Sequence, residues 1–395
     1  MTLTPDPTFT LPSRLPDVGT TIFSVMSQLA LAHNAINLGQ GFPNFDPDPA
    51  LLDAANHALR HHFNQYAPMA GLPALRQVIA DKTWHLSGHR YDPEREITVT
   101  AGATQALQTA VMAAVQPGDE VIVLEPVYDS YIPAIRMAGA IPVVVAMRAP
   151  EAGDPVYRPD WQAVRRAITP RTRALMLNFP HNPTSTILAE SDLDALEDLL
   201  QDSRILVISD EVYEHIVFDG QRQHSMASRA ELRRRSFVVS SFGKTVHATG
   251  WKIGYCCAPP ALMLEFQRVH QFVVYAVNTP LQQALATFLA TPAHYQGLSA
   301  FYQAKRDHLV NGLRHTAFQV LPSAGTFFVL ADYSQIAQTD ADTFSRWLTV
   351  THGVTVIPLS AFYTAPQTFS GRLVRFCFAK TPDTLDQAVQ RLQRL

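Results

Sequence analysis

The sequence predicts an α/β protein, with a mostly parallel sheet covered by helices and a smaller α/β domain after it. Three observations carry that prediction. From about residue 95 to 260, short β-branched runs alternate with helical patterns, the signature of strands joined by helical crossovers. Glu125, Asn182, Asp210 and Lys244 fall just past the ends of those runs, where sheets of this kind bind their ligands. At 395 residues, 47% hydrophobic and 16% charged, the chain can bury the cores of two domains.

Residues 1–45 are punctuated by Pro and Gly, are too few to fold alone, and are expected to pack with the small domain. "EITVT" then reads as a strand. "TQALQTAVMAAV" reads as a helix with Ala106, Leu107, Ala110, Val111, Ala114 and Val115 on one face. "QPGDE" is a turn, and "VIVLEP", "AIPVVVA", "RALMLNFP", "RILVISDE" and "SFVVSS" continue the strand series, with "AESDLDALEDLL" a helix among them. "GYCCAP" has strand character too. Beyond it come a helix around "FYQAKRDHLVNGL", strands in "GTFFVLAD", "GVTVIPL" and "RLVRFCFA", and a final helix. The expected division is 1–45 as an N-terminal segment, 46–285 as a large domain and 286–395 as a small one.

Composition excludes several classes. A formal net charge of −3 offers no electrostatic case for nucleic acid or an acidic membrane, and "ELRRRS" reads as a solvated helix end. No apolar run reaches the ~20 residues that span a bilayer. The start "MTLTPDPTFTLP" lacks a secretory pattern. The three cysteines, Cys256, Cys257 and Cys377, form no disulfide or zinc pattern, so buried inert thiols in a reducing cytoplasm are expected. Fifteen histidines lack metal-ligand spacing, so no metal is expected.

"SSFGKTVHATGWKIGY" sets Lys244 among small and polar residues, with Lys252 eight positions on. A lysine whose ammonium is destabilised can attack an aldehyde, and pyridoxal phosphate supplies one. That cofactor also needs a carboxylate for its ring nitrogen, donors for its phosphate and a flat group against its ring. Asp210 in "VISDEVYEHI" can supply the carboxylate. Tyr213 and Asn182 can donate to the ring oxygen. Gly102, Ala103 and Thr104 of "TAGATQAL" begin a helix, where free N–H groups favour a phosphate. Ser241 and Lys252 can complete that cup, and Tyr128 offers an aromatic face. Alone, each has a common alternative: a turn, a helix cap, a core aromatic or a surface lysine. Their order and joint placement give the pattern its meaning.

On "NLGQGFPNFDP", "QYAPMAGLPALR", "TAGATQAL", "EPVYDSY", "NFPHNPT", "SDEVYEHI", "SSFGKTVHATGWKIGY" and "RFCFAK", the chain resembles a class I aminotransferase of the pyridoxal-phosphate fold type I, almost end to end. "INLGQGFP", "GKT…TGWKIG" and "RFCFAK" make it most similar to bacterial methionine aminotransferases and the kynurenine aminotransferase/glutamine transaminase K branch. The resemblance implies a large domain with a mostly parallel seven-stranded sheet. It implies that Lys244 attaches the cofactor and acts as base, and that Asp210 pairs the ring nitrogen. Tyr213 and Asn182 would bond the ring oxygen, and Ala103, Thr104, Ser241 and Lys252 the phosphate. Tyr128 would stack on the ring. Lys252 stands where many relatives have Arg, replacing a two-pronged phosphate contact by a point charge. Tyr66 matches a tyrosine that reaches the neighbouring subunit's phosphate, implying a homodimer with shared sites. Arg375 matches the grip on the substrate α-carboxylate, joined by the Gly41 N–H.

For the side chain, Phe23 and Tyr275 match pocket positions, with Phe362 beside them, unless these aromatics are core packing. An apolar lining would favour methionine and aromatic or large apolar amino acids as donors to a 2-oxo acid. Rival readings are a C–S β-lyase on the same fold, a cofactor-sensing transcriptional regulator, and a noncatalytic scaffold. The regulator would need a DNA-binding module ahead of the repeat. The scaffold conflicts with the joint presence of Lys244, Asp210 and Arg375.

Overall fold

A computed structural model describes residues 11–395; the first ten residues, including most of the stretch read above as lacking a secretory pattern, lie outside it. The large sheet has seven strands, β1 (Ile97–Thr100), β2 (Glu120–Glu125), β3 (Ile141–Ala146), β4 (Thr172–Asn178), β5 (Leu206–Asp210), β6 (Ser236–Ser241) and β7 (Gly254–Cys257), in the order β1-β7-β6-β5-β4-β2-β3. Only β7 runs antiparallel to its neighbours. Six strands therefore end on one rim, and their exits form one edge of a cleft.

Burial explains why these segments are strands. Central strands of a parallel sheet are covered on both faces, so their sequences read as continuous apolar runs rather than alternations. Val121, Val123, Ala174, Met176, Ile208, Val239 and Cys256 pack on one face, under the helices Gly102–Ala114 and Pro260–Val273. Ile122, Leu124, Leu175, Leu177, Val207, Val238 and Cys257 face the other side, in a core shared with the C-terminal part of the chain. The edge strand β3 is more exposed. The helix Gly102–Ala114 buries the face anticipated from its periodicity, except that Val115 is its extended cap.

A four-stranded antiparallel sheet is built from Gln319–Val320, Phe328–Asp332, Leu373–Cys377 and Ile357–Pro358. "GVTVIPL" is not the single strand expected. Val354–Thr355 pairs in parallel with Ile36–Asn37, and Ile357–Pro358 pairs instead with Leu373–Cys377. The chain changes partner at buried Val356, and Pro358 has no N–H to extend a ladder. The N-terminal segment thus adds a strand beside the C-terminal elements, and Leu38 accepts from the Cys377 N–H at 2.7 Å. That contact carries residues 39–42 over the cleft. Among the described residues, no helix is long and apolar enough to cross a membrane, and no cluster of His, Cys, Asp or Glu is placed to hold a metal.

Candidate active site

A cavity of about 440 Å³ opens at the carboxyl ends of the parallel strands, roofed by Gln40–Phe42 and closed on one side by Arg375. Asp210, Tyr213, Asn182, Lys244, Ser241, Lys252, Ala103, Thr104, Tyr128, Gly41, Phe23 and Arg375 all line it. Gly102 stands just behind, where a Cβ would come within 3.2 Å of the Lys252 side chain.

Asp210 is the last residue of β5 and is buried. Its Oδ2 accepts from the Tyr131 hydroxyl at 2.6 Å, and its Oδ1 from the Val212 N–H at 3.2 Å. Burial raises its pKa to about 6, while those two donors favour the anion. Its backbone carbonyl is fixed by Asn178 Nδ2 at 3.0 Å. Neither Tyr131 nor Asn178 is among the residues singled out from sequence. The available signal is the second tyrosine of "EPVYDSY", which enters the helix Tyr131–Met137 and so turns back toward β5.

Lys244 follows β6 in the one-turn helix Phe242–Thr245. The tight bend is needed because a Cβ on Gly243 would come within 3.0 Å of the Thr249 backbone. Lys244 Nζ donates to the Gly41 carbonyl at 2.9 Å and lies 5.6 Å and 5.3 Å from the Tyr213 and Phe327 ring centroids. Loss of water lowers its pKa to about 8; Arg375 and Lys252 push the same way, against Asp210 and Cys377. An amine so placed is a nucleophile and base near neutral pH.

Opposite Asp210, the helix Gly102–Ala114 points its N-terminus into the cavity. Gly102 has φ 78°, which a side chain would strain. A Cβ on Gly254 would lie 2.8 Å from the Gly102 carbonyl carbon and 2.9 Å from the Ala103 nitrogen, so β7 and the helix start touch backbone to backbone. Lys252, itself left-handed at φ 55°, and Ser241 flank those N–H groups. The result is a small anion cup.

Arg375 comes from the middle of Leu373–Cys377 and is buried. Nη1 donates to Asn182 Oδ1, and Nη2 to the Gly39 carbonyl at 2.9 Å. Its guanidinium lies 3.7 Å from the Phe328 ring centroid, with Phe362 at 5.0 Å and Phe23 at 5.2 Å. Burial lowers its pKa to about 10, which leaves it charged at neutral pH, and its buried Nε has no hydrogen-bond partner among the described residues. Asn182 is held by a bond from its N–H to Asn178 Oδ1 at 2.9 Å.

Two anticipated residues are not brought here by their own chain. Tyr275, expected in the substrate pocket, is 51% exposed and meets Tyr66, 82% exposed, edge to face at 5.5 Å. It follows the end of the helix Pro260–Val273 in a left-handed turn (φ 68°), which directs it along the outer surface. Phe362 backs Phe23 at 5.9 Å rather than lining the cavity.

The model of the family aminotransferase class I and II matches residues 33–392. The chain is 48% identical to methionine aminotransferase of Escherichia coli (strain K12) over 97% of this chain and 98% of that protein; the solved structure superposes with a TM-score of 0.94, covering 98% of this chain and 100% of that one. It is 42% identical to a probable N-succinyldiaminopimelate aminotransferase of Mycobacterium tuberculosis, with 97% and 98% covered. That organism's N-succinyldiaminopimelate aminotransferase structure gives a TM-score of 0.93 at 98% and 100% coverage. Human kynurenine–oxoglutarate transaminase 1 is 33% identical over 93% of this chain and 94% of that one. The chain is a member of the class I and II aminotransferases, a transaminase built on the type I fold.

Proposed function

We propose that the enzyme uses pyridoxal phosphate to move the α-amino group of methionine and of aromatic or large apolar amino acids to a 2-oxo acid. The observation that carries this reading is that Lys244 and Asp210 face one cavity, with an anion cup at its far end. The donor set fits the cofactor. Asp210 suits a pyridine nitrogen, Tyr213 and Asn182 the ring oxygen, and Tyr128 the ring face. Ser241, Lys252, Thr104 and the N–H groups of Gly102 and Ala103 suit a phosphate.

When bound, the cofactor supplies an aldehyde for amines and a ring that accepts the electron pair left by a departing α-proton. Arg375 and the Gly41 N–H would hold the substrate carboxylate and so fix the orientation of the α-carbon. Lys244, as a neutral amine, would take the substrate α-proton as a base and give a proton back later in the cycle. Asp210, kept anionic by Tyr131 and Val212, favours a protonated ring nitrogen. The roof of Gln40–Phe42 limits water.

Substrate side chains would rest against Phe23. Lys244, Lys252 and Arg375 are the cations lining the cavity among the described residues, and all three are engaged by the cofactor or the α-carboxylate. The remaining charged groups, Asp129 and Asp210, are carboxylates. That argues for uncharged side chains, and against the N-succinyldiaminopimelate in the mycobacterial relative's name, whose side chain carries further carboxylates. We also propose a homodimer in which Tyr66 completes the partner's phosphate site. The exposed Tyr66–Tyr275 pair and the nearby, 88% exposed Phe272 support an interface there. Three buried free thiols suit a reducing cytoplasm. The division 1–45, 46–285 and 286–395 remains our proposal for the domains.

A panel of amino donors tests the substrate reading. Methionine and phenylalanine should convert the visible spectrum of the holoenzyme at low concentration, with aspartate far weaker. Preference for aspartate or N-succinyldiaminopimelate over methionine would overturn it. Release of pyruvate and thiol from cysteine conjugates, without oxo-acid formation from methionine, would favour the β-lyase alternative.

A further inference from the structure

Four consecutive carbonyls over the cavity accept hydrogen bonds from cationic side chains. Gly39 accepts from Arg375 Nη2 at 2.9 Å, and Gly41 from Lys244 Nζ at 2.9 Å. Gln40 and Phe42 both accept from Lys380 Nζ, at 3.3 Å and 2.8 Å. Arg375 and Lys244 have work to do on the substrate. Lys380 does not line the cavity, and its bonded partners are carbonyls rather than a carboxylate. It is buried, with its ammonium 4.8 Å from the Phe42 ring centroid, and desolvation lowers its pKa. Among the described residues it has no counter-ion, and burying such a cation is costly, so a lysine here calls for a physical reason.

The packing of the strip supplies one. Gly41 lies so close to Phe328 that a Cβ would approach that ring to 2.6 Å, and the same ring carries the Arg375 guanidinium at 3.7 Å. Strip, ring and guanidinium are stacked in contact, so a displacement of the strip displaces the seat of Arg375. Neighbouring ties hold the base of the strip: Lys305 Nζ donates to the Lys380 carbonyl at 2.8 Å, and the Thr381 N–H to Asn44 Oδ1 at 2.7 Å. The Lys380 charge also offsets the negative ends of two carbonyl dipoles beside the point where a substrate carboxylate arrives.

We propose that Lys380 is a positioning residue for substrate recognition: it holds Gln40–Phe42 at the height where Arg375 and the Gly41 N–H together receive the α-carboxylate. This rests on the assignment of Arg375 to that carboxylate. A purely structural lysine would affect only stability. A positioning lysine sets the affinity for carboxylates while leaving the cofactor end intact.

The test compares Lys380→Met, Lys380→Gln and Lys380→Arg holoenzymes with the parent. Steady-state kinetics with methionine are measured alongside binding of 3-(methylthio)propionate, a carboxylic acid with no amine, read from the visible absorption of the cofactor. The Met and Gln variants should raise KM and the Kd of the acid about tenfold, with kcat and the resting spectrum moving far less; Arg should recover most of the affinity. Should the Met variant fail to fold, the Gln variant carries the same measurement. Unchanged KM and Kd, or a loss confined to thermal stability or to kcat, overturns the proposal. An Arg375→Lys control separates the two levels. If it weakens the acid and Lys380→Met does not, the inference about Lys380 fails alone. If Arg375→Lys also leaves the acid's affinity unchanged, the carboxylate assignment fails and takes this inference with it.

Discussion

The two ends of the cavity are built differently. At the end that carries Asp210, Lys244 and the helix start of Gly102–Ala114, each group leaves a strand of one sheet, and only the Lys244 ammonium reaches out of it, to the Gly41 carbonyl of the strip. At the Arg375 end, the groups come from Gly39, Asn182 and Arg375, which lie 336 and 193 residues apart along the chain. They meet only because Ile36–Asn37 pairs with Val354–Thr355 and the strip 39–42 then crosses the cleft. One end is a rigid rim and the other is an assembly across two sheets. Chemistry held by the first should be insensitive to how the second is seated, whereas recognition should depend on both.

The largest effect should come from the rim. Lys244→Ala should lower transamination at least 1,000-fold, because it removes both the attacking amine and the general base. The cofactor should still bind, through Asp210 and the anion cup, which absorbance after gel filtration would check; substantial turnover in the variant would break the assignment. At the assembled end, Arg375→Lys should lower kcat/KM for methionine about 100-fold, chiefly through KM. A lysine cannot reproduce the two-pronged contact, and it leaves Asn182 Oδ1 and the Gly39 carbonyl to share a single donor nitrogen. A fall in kcat with KM unchanged would mean that Arg375 acts on the chemistry rather than on binding.

The difference between the ends also governs what could be read from sequence. The strand series and the rim residues were legible because each motif is local: a β-branched run, then a small or polar residue at a tight exit, as in "VISDEV" and "SSFGKT". Arg375 was legible only through the resemblance of "RFCF", since its partners lie far along the chain. Tyr131 was missed because a hydroxyl aimed across from one strand exit to another leaves no periodic trace. Tyr275 was expected in the substrate pocket; on this chain it lies along the outer surface, because a left-handed turn after a helix decides its direction, and "VVYAV" does not announce that turn. The split of "GVTVIPL" followed from a change of strand partner, a tertiary choice to which a continuous apolar run is blind.

Tyr131→Phe probes the rim more finely. It removes a 2.6 Å bond to a buried carboxylate while keeping the ring that packs edge to face on Tyr128 at 5.6 Å. Asp210 should then hold its proton more readily than its present value of about 6 implies, and the ring nitrogen should be less firmly protonated. A fall in kcat of about tenfold is expected, from the loss of one hydrogen bond to a charged group. It should come with a shifted pH midpoint in the visible spectrum of the holoenzyme and little change in the affinity for 3-(methylthio)propionate. A change in that affinity instead would show that the two ends are not independent.

The smallest effect joins the two ends at Lys244, whose environment draws on both. Desolvation chiefly lowers its pKa to about 8; Arg375, from the assembled end, adds to the lowering, and Asp210, from the rim, opposes it. Only the neutral amine attacks an aldehyde, so capture of pyridoxal phosphate by the apoprotein should follow the neutral fraction. Below the midpoint, a rise in pH frees more amine and the rate climbs, about fivefold from pH 7 to pH 8; above the midpoint the rate flattens. An ordinary lysine would keep climbing past pH 9.5. Arg375→Met removes one of the cations that disfavour the ammonium, so its midpoint should move up, while Asp210→Asn removes a stabilising anion and should move it down. Stopped-flow absorbance across pH 6–10 reads all three profiles. Equal midpoints in the three proteins would mean that burial alone sets the basicity of Lys244, and that the assembled end reaches the substrate carboxylate without touching the catalytic amine.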